Sequence, residues 1–189
     1  MQLAYAQQLL AGSLPNRDFV DPGMPLTYVL SAAVQAISPG PYGELLLTTA
    51  LLAAAAVLTC IVAWRLTGSL AVGVAAAFFT IVLKPQFYNY AKVLTPAVTL
   101  WLIQRYTDQT TPRRLVALGA WTVVAGLFRY DFGLYAAVGT LVALAARHWG
   151  NRPEMTSALS RYTGSALVAV APYVVYLLLT GGVSRSEEH

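Results

Sequence analysis

The run Leu45-Leu46-Leu47-Thr48-Thr49-Ala50-Leu51-Leu52-Ala53-Ala54-Ala55-Ala56-Val57-Leu58-Thr59-Cys60-Ile61-Val62-Ala63-Trp64 carries no charge from end to end. As a helix rising ~1.5 Å per residue it is roughly 30 Å long, the thickness of a bilayer's hydrocarbon core. Nothing in it alternates, so a half-buried strand is excluded. Two further uncharged runs, Leu66–Leu83 and Tyr162–Ser184, have similar length. Three shorter ones are Val93–Gln104, Leu115–Phe128 and Phe132–Ala146. These reach spanning length only by taking in Lys92, Arg105, Arg114, Arg129, Asp131 and Arg147 at their ends. Long basic side chains snorkel to the interface, so such flanks are tolerated. The sequence therefore predicts an all-α, polytopic integral membrane bundle of about six transmembrane helices.

Composition agrees. Of the 189 residues 57% are hydrophobic and only 11% charged, against roughly 25% charged in a soluble domain. Mean hydropathy is +0.59. That excludes a water-soluble globule, whose surface needs more charge. One cysteine, Cys60, inside an apolar run excludes a disulfide scaffold. The net charge of +4 is spread singly between apolar stretches, so nucleic acid is not an expected partner; the lipid bilayer is.

The positive-inside rule sets the orientation. With the first span running outside to inside, Arg65, Arg105, Arg113, Arg114, Arg147, Arg152 and Arg161 face inward. Arg17, Lys84, Lys92, Arg129 and Arg185 face outward with Asp18, Asp21, Glu44, Asp131, Glu187 and Glu188. Residues 1–42 read as an outer-face loop with short interfacial helices, 43–184 as the bundle, and 185–189 as a polar tail. Pro25–Ile37 is an apolar helix of roughly 20 Å, too short to cross unaided. No signal peptide is evident at Met1, so an outer N-terminal segment leads to the expectation of an upstream helix and of a chain that is part of a larger protein.

Three outward clusters carry the chemistry. The loop Leu14–Leu26 holds Arg17, Asp18 and Asp21, two carboxylates suited to acting as a base, binding a divalent metal or orienting a sugar hydroxyl. The plainer alternative pairs Asp18 with Arg17 and lets Asp21 cap a helix. Lys84–Pro96 sets Lys84 and Lys92 among Phe87, Tyr88, Asn89 and Tyr90, a grip for a phosphate and a stacking surface for a head group. Aromatic anchoring and lysine snorkelling account for the same residues. Gly126–Gly133 turns the chain through Arg129 and Asp131, which are costly near the bilayer edge unless paired or facing a wet cavity. Pro96 is expected to bend or break its helix. Trp64, Trp101 and Trp149 read as interfacial anchors and Trp121 as a packed residue. His148 and His189 have no metal spacing.

Tyr5-Ala6-Gln7-Gln8-Leu9-Leu10-Ala11-Gly12-Ser13-Leu14-Pro15-Asn16-Arg17-Asp18-Phe19, followed by Pro25-Leu26-Thr27-Tyr28, resembles the first outer loop of GT-C-type membrane glycosyltransferases. These include the protein O-mannosyltransferase-like and aminoarabinose transferase-like families. Phe87–Pro96 is similar to the outer tyrosine-alanine junction of those enzymes, and Gly126–Gly133 to a later basic turn. Asn16 replaces the usual Tyr, and Thr95 stands where an acid is common. The resemblance implies a polyprenyl-phosphate-linked sugar as donor and an acceptor hydroxyl on a lipid, glycan or protein. It also implies transfer at the outer face of a bacterial inner membrane. It gives Asp18 and Asp21 the catalytic role and Lys84, Lys92 and Arg129 the donor phosphate. Arg17, Tyr88, Asn89, Tyr90 and Asp131 then line the substrate pocket. The two carboxylates fit metal-free use and use with a divalent metal alike, and no other cofactor is implied. A small polytopic transporter, or a non-catalytic membrane subunit, is the competing expectation; no internal repeat supports it.

Overall fold

The structure is a computed structural model and describes residues 2–19, 23–82 and 90–181. It is all-α. Among the described residues there are eight helices and no strand: α1 Gln2–Leu10, α2 Pro25–Ile37, α3 Pro41–Thr67, α4 Leu70–Val82, α5 Ala91–Asp108, α6 Pro112–Phe128, α7 Tyr130–Arg147 and α8 Arg152–Gly181.

Helix boundaries follow local chemistry. Proline opens α2, α3 and α6 in the first turn, where its missing N–H costs nothing and its fixed φ is already helical. Gly68 closes α3 in the left-handed region at φ 71°, its N–H bonded to the Trp64 carbonyl, a conformation glycine adopts without a Cβ penalty. α8 starts ten residues before the apolar run at Tyr162, because Asn151 Oδ1 accepts the Glu154 N–H at 3.3 Å and supplies a start signal. Pro96 does not break α5, which runs unbroken through it. It lies early in the helix, where the single lost hydrogen bond is outweighed by packing. Thr95 Oγ1 donates to the Ala91 carbonyl and Thr99 Oγ1 to the Thr95 carbonyl around it.

Short turns join α3 to α4 and link α5, α6, α7 and α8 in succession, so successive helices run antiparallel. The starts of α3, α5 and α7 and the ends of α6 and α8 form one end of the bundle, here the upper end. α1, α2 and the first loop sit there too. Thr27 Oγ1 donates to the Phe128 carbonyl, Tyr176 Oη donates to the Pro15 carbonyl at 2.6 Å, and Ser31 Oγ donates to the Glu44 carboxylate. α6 is central, packing on α5, α7, α8 and α2. It meets α7 where a Cβ on Gly133 would lie 2.7 Å from the Gly126 Cα, an approach that only glycine permits.

The interior is mainly apolar but takes in Thr27, Ser31, Thr48, Thr95, Thr99, Gln104 and Thr140, and a large apolar surface that includes Leu46, Phe78, Phe79, Leu134, Val142, Leu167, Val168, Leu178 and Leu179 is exposed. α3 and α8 are long and apolar enough to cross a membrane, yet only 22% and 6% of their most apolar stretches are buried. α2 and α4 are apolar but shorter, 13 residues each. α5, α6 and α7 have 18, 17 and 18 residues, roughly 26 Å each at the helical rise.

Candidate functional site: a cavity between α5 and α7

A cavity of about 770 Å³ lies between α5 and α7, within the range of roughly 300–1,000 Å³ typical of ligand sites. Its shape comes from small residues. Ala136, Gly139, Ala143 and Ala146 recur at helical spacing along one face of α7, and on α5 Thr95, Thr99, Leu100 and Ile103 form the opposite wall. From Asp131 to Ala146 the slot follows about 22 Å of helix. Its polar side chains are gathered toward the upper end, where Lys92, Arg129 and Asp131 line it; deeper, Leu100, Ile103, Val142, Ala143 and Ala146 make it apolar.

The charged end is built by a one-residue turn. Arg129 is at once the C-cap of α6 and the N-cap of α7, with extended backbone at φ −171° and ψ 137°. Its N–H still bonds the Ala125 carbonyl at 3.1 Å. Asp131 sits in the first turn of α7, where the helix N-terminus favours an anion. Arg129 Nε lies 2.9 Å from Asp131 Oδ1, an ion pair whose alignment is off the hydrogen-bond direction, and the guanidinium lies 5.4 Å from the Phe132 ring centre. Both side chains are partly exposed, at 43% and 34%, so neither is sealed off from a ligand. Lys92 makes no ion pair with any described residue and is exposed. Among the described residues, two cations and one carboxylate therefore surround the mouth, a net positive site opening onto an apolar slot.

The other expected residues are placed differently. Arg17 and Asp18 share the upper end but do not line this cavity. Arg17 Nε lies 3.0 Å from Asp18 Oδ1, and Asp18 Oδ2 accepts the Leu14 N–H at 2.7 Å. The Arg17 hydrogen bond, reinforced by the Leu14 amide, holds the Asp18 carboxyl below the ordinary carboxylate range. Tyr90 is a core residue, 2% exposed, its ring edge-on to Phe128 at 6.1 Å. Asp21, Lys84, Tyr88 and Asn89 lie outside the described residues. Among the described residues no group of three or more His, Cys, Asp or Glu could hold a metal ion.

Sequence reasoning missed the slot itself. Its signal was present as small residues at 136, 139, 143 and 146, all falling on one helical face. It also missed the chain Tyr106–His148–Glu154 at the opposite end. There Tyr106 Oη lies 2.8 Å from His148 Nε2 and His148 Nδ1 lies 3.3 Å from Glu154 Oε2. Trp121, read as a packed residue, donates its indole N–H to Thr99 Oγ1 at 3.0 Å, and Trp64 and Trp149 are exposed. No family model matches the chain, and neither a curated protein nor a solved structure proves similar to it.

Proposed function

We propose that this chain forms a six-span membrane bundle whose α5–α7 cavity holds a polyprenyl-phosphate-linked sugar at the outer membrane face, for transfer to an acceptor hydroxyl. The observation that carries the reading is the division of the cavity into a cationic mouth and a long apolar slot. A lipid phosphate has the same two parts. Lys92 and Arg129 neutralise the phosphate, and charge-assisted hydrogen bonds of this kind are worth about 1.5–3 kcal/mol each. The apolar chain lies along Leu100, Ile103, Val142 and Ala146.

The chemistry follows from the charges. The acceptor oxygen bonds to the anomeric carbon while the bond to the phosphate oxygen breaks, and negative charge grows on the departing polyprenyl phosphate. Cations already in place favour that state over the ground state. A carboxylate must take the acceptor proton. Asp18, held as a stabilised anion by Arg17 and the Leu14 N–H, is a weak base. Asp131 is the carboxylate that the cavity itself presents, suited to orienting sugar hydroxyls or receiving the proton.

Membrane insertion has its own support. The exposed leucine, valine and phenylalanine surface and the small buried fraction of α3 and α8 match a bundle solvated by lipid. α5, α6 and α7 bring charges only near their ends and fit a slightly thinned or snorkelled span. A solute path for a transporter would need polar groups along its length, whereas here they crowd one end. Native mass spectrometry of the detergent-solubilised chain with polyprenyl phosphate is the test. Binding is expected to exceed that of the matching neutral polyprenol and to weaken about tenfold in Lys92→Gln and in Arg129→Gln. Equal binding of phosphate and alcohol, unchanged in both variants, would overturn the reading.

A further inference from the structure

A second pocket, of about 200 Å³, lies at the lower end between the α5–α6 turn and α8. It is below the roughly 300 Å³ of the smallest drug-sized sites and suits a small group. Unlike the α5–α7 cavity it is chiefly polar, with Thr110, Thr111, Ser157, Arg161 and His148 among its lining residues.

Its donors are uncommitted. The hydroxyls of Thr110, Thr111 and Ser157 make no side-chain hydrogen bond with a described residue, and Thr111 stands at the N-cap of α6 without its side chain capping the helix. Arg161 makes no ion pair among the described residues. The pocket also contains an acid, Glu154, but its carboxylate is turned toward His148 Nδ1 at 3.3 Å. His148 is 8% exposed and Tyr106 2%. One ring nitrogen of His148 faces the Glu154 carboxylate and the other the Tyr106 hydroxyl, so the three groups partner one another.

The surroundings are strongly cationic. Arg65, Arg105, Arg113, Arg114, Arg147, Arg152 and Arg161 belong to the lower half, against Asp108 and Glu154, so seven positive and two negative side chains leave an excess of five. Among the described residues of the upper end, Arg17, Lys92 and Arg129 balance Asp18, Glu44 and Asp131. A guanidinium and three hydroxyls with no side-chain partner among the described residues, in a field of this sign, are matched by tetrahedral oxyanion chemistry. The guanidinium presents paired donors to two oxygens and the hydroxyls reach the others.

We propose that the pocket formed by Thr110, Thr111, Ser157 and Arg161 binds a phosphate group, supplied either as free phosphate or by the head group of an anionic phospholipid. The site stands on residues separate from the α5–α7 cavity and does not depend on sugar transfer.

Two binding arms on the full chain separate the sources. In detergent, inorganic phosphate is titrated by isothermal calorimetry. In native mass spectrometry, retention of phosphatidic acid is compared with that of phosphatidylcholine. Free phosphate as ligand predicts saturable binding that falls at least tenfold in Arg161→Gln. A lipid head group predicts selective retention of phosphatidic acid, lost in Arg161→Gln, with no response to inorganic phosphate. The pair Thr111→Val and Ser157→Ala keeps the charge and is expected to weaken whichever ligand binds by several-fold. It serves in place of Arg161→Gln if circular dichroism shows that variant misfolded. Both arms are also read in Lys92→Gln protein, where binding in the α5–α7 cavity is weakened and the Arg161-dependent binding is expected to persist. Binding in neither arm, or binding indifferent to Arg161→Gln and to the hydroxyl pair in folded protein, would overturn the proposal.

Discussion

Asp18 shows how one side chain's neighbours decide what it can do. Its two carboxylate oxygens are spent, one on Arg17 and one on the Leu14 N–H, so the group closes a turn that the isolated loop sequence also allowed as a base. Its folded pKa lies below the ordinary value. The stabilisation it gives is therefore present above that ordinary value, about 3.9, and is lost as pH falls through the lower folded value. We expect Asp18→Asn to speed amide exchange at Leu14 several-fold at neutral pH, and the parent to approach the variant only in strong acid. Exchange unchanged by the substitution would remove the closing role. The sequence made the Arg17–Asp18 pairing legible because adjacent opposite charges in a proline-bounded loop have few other partners. It did not show that the Leu14 amide completes the set, since that bond depends on the turn's path.

At the scale of elements, glycines separate two kinds of helix contact. At Gly133 a Cβ would meet backbone, the Gly126 Cα at 2.7 Å, whereas at Gly164 it would meet nothing within 4 Å. Gly133→Ala forces the α6–α7 pair apart and should cost about 1–3 kcal/mol, as overpacking does. Gly164→Ala, at a helical and open position, should be neutral or stabilise by about 0.4–1 kcal/mol through the unfolded chain. Thermal unfolding in detergent measures both; the same sign for the two would refute the close α6–α7 packing. Most helices were legible because uncharged runs and prolines mark their limits, and Pro25–Ile37 is a helix with the same bounds as its sequence pattern. The early start of α8 was less visible because Arg152–Arg161 is polar on a helix whose apolar part begins later. The continuity of α5 through Pro96 was hidden too, since neighbouring packing and not local propensity holds that turn.

For the molecule as a whole, the exposed apolar surface and the charge difference between its ends form one pattern. The proposed insertion accounts for both, with lipid around the exposed leucines and, by the positive-inside rule, the arginine-rich end facing inward. In a Cys60→Ala background, Ala11→Cys is expected to react with an impermeant thiol reagent from outside the cell and Thr110→Cys only after the inner face is opened. The reverse pattern would put the α5–α7 cavity mouth on the wrong side for the proposed donor. The sequence made the helical class readable, and alternating helices bring Arg17, Asp18, Lys92, Arg129 and Asp131 to one end because every second turn returns to the same face. The cavity was not readable, because a void arises from how α5 and α7 lean together.

The central claim is that a lipid phosphate sits with its charge at Lys92 and Arg129 and its tail along α5 and α7. It is tested most directly by photocrosslinking with a polyprenyl phosphate that carries a photoreactive group on its isoprenoid chain, followed by peptide mapping. The account predicts adducts on Leu100–Ile103 and Gly139–Ala146, lost when Lys92→Gln and Arg129→Gln are combined. Adducts confined to the outer faces of α3, α4 or α8, and unaffected by those substitutions, would contradict it.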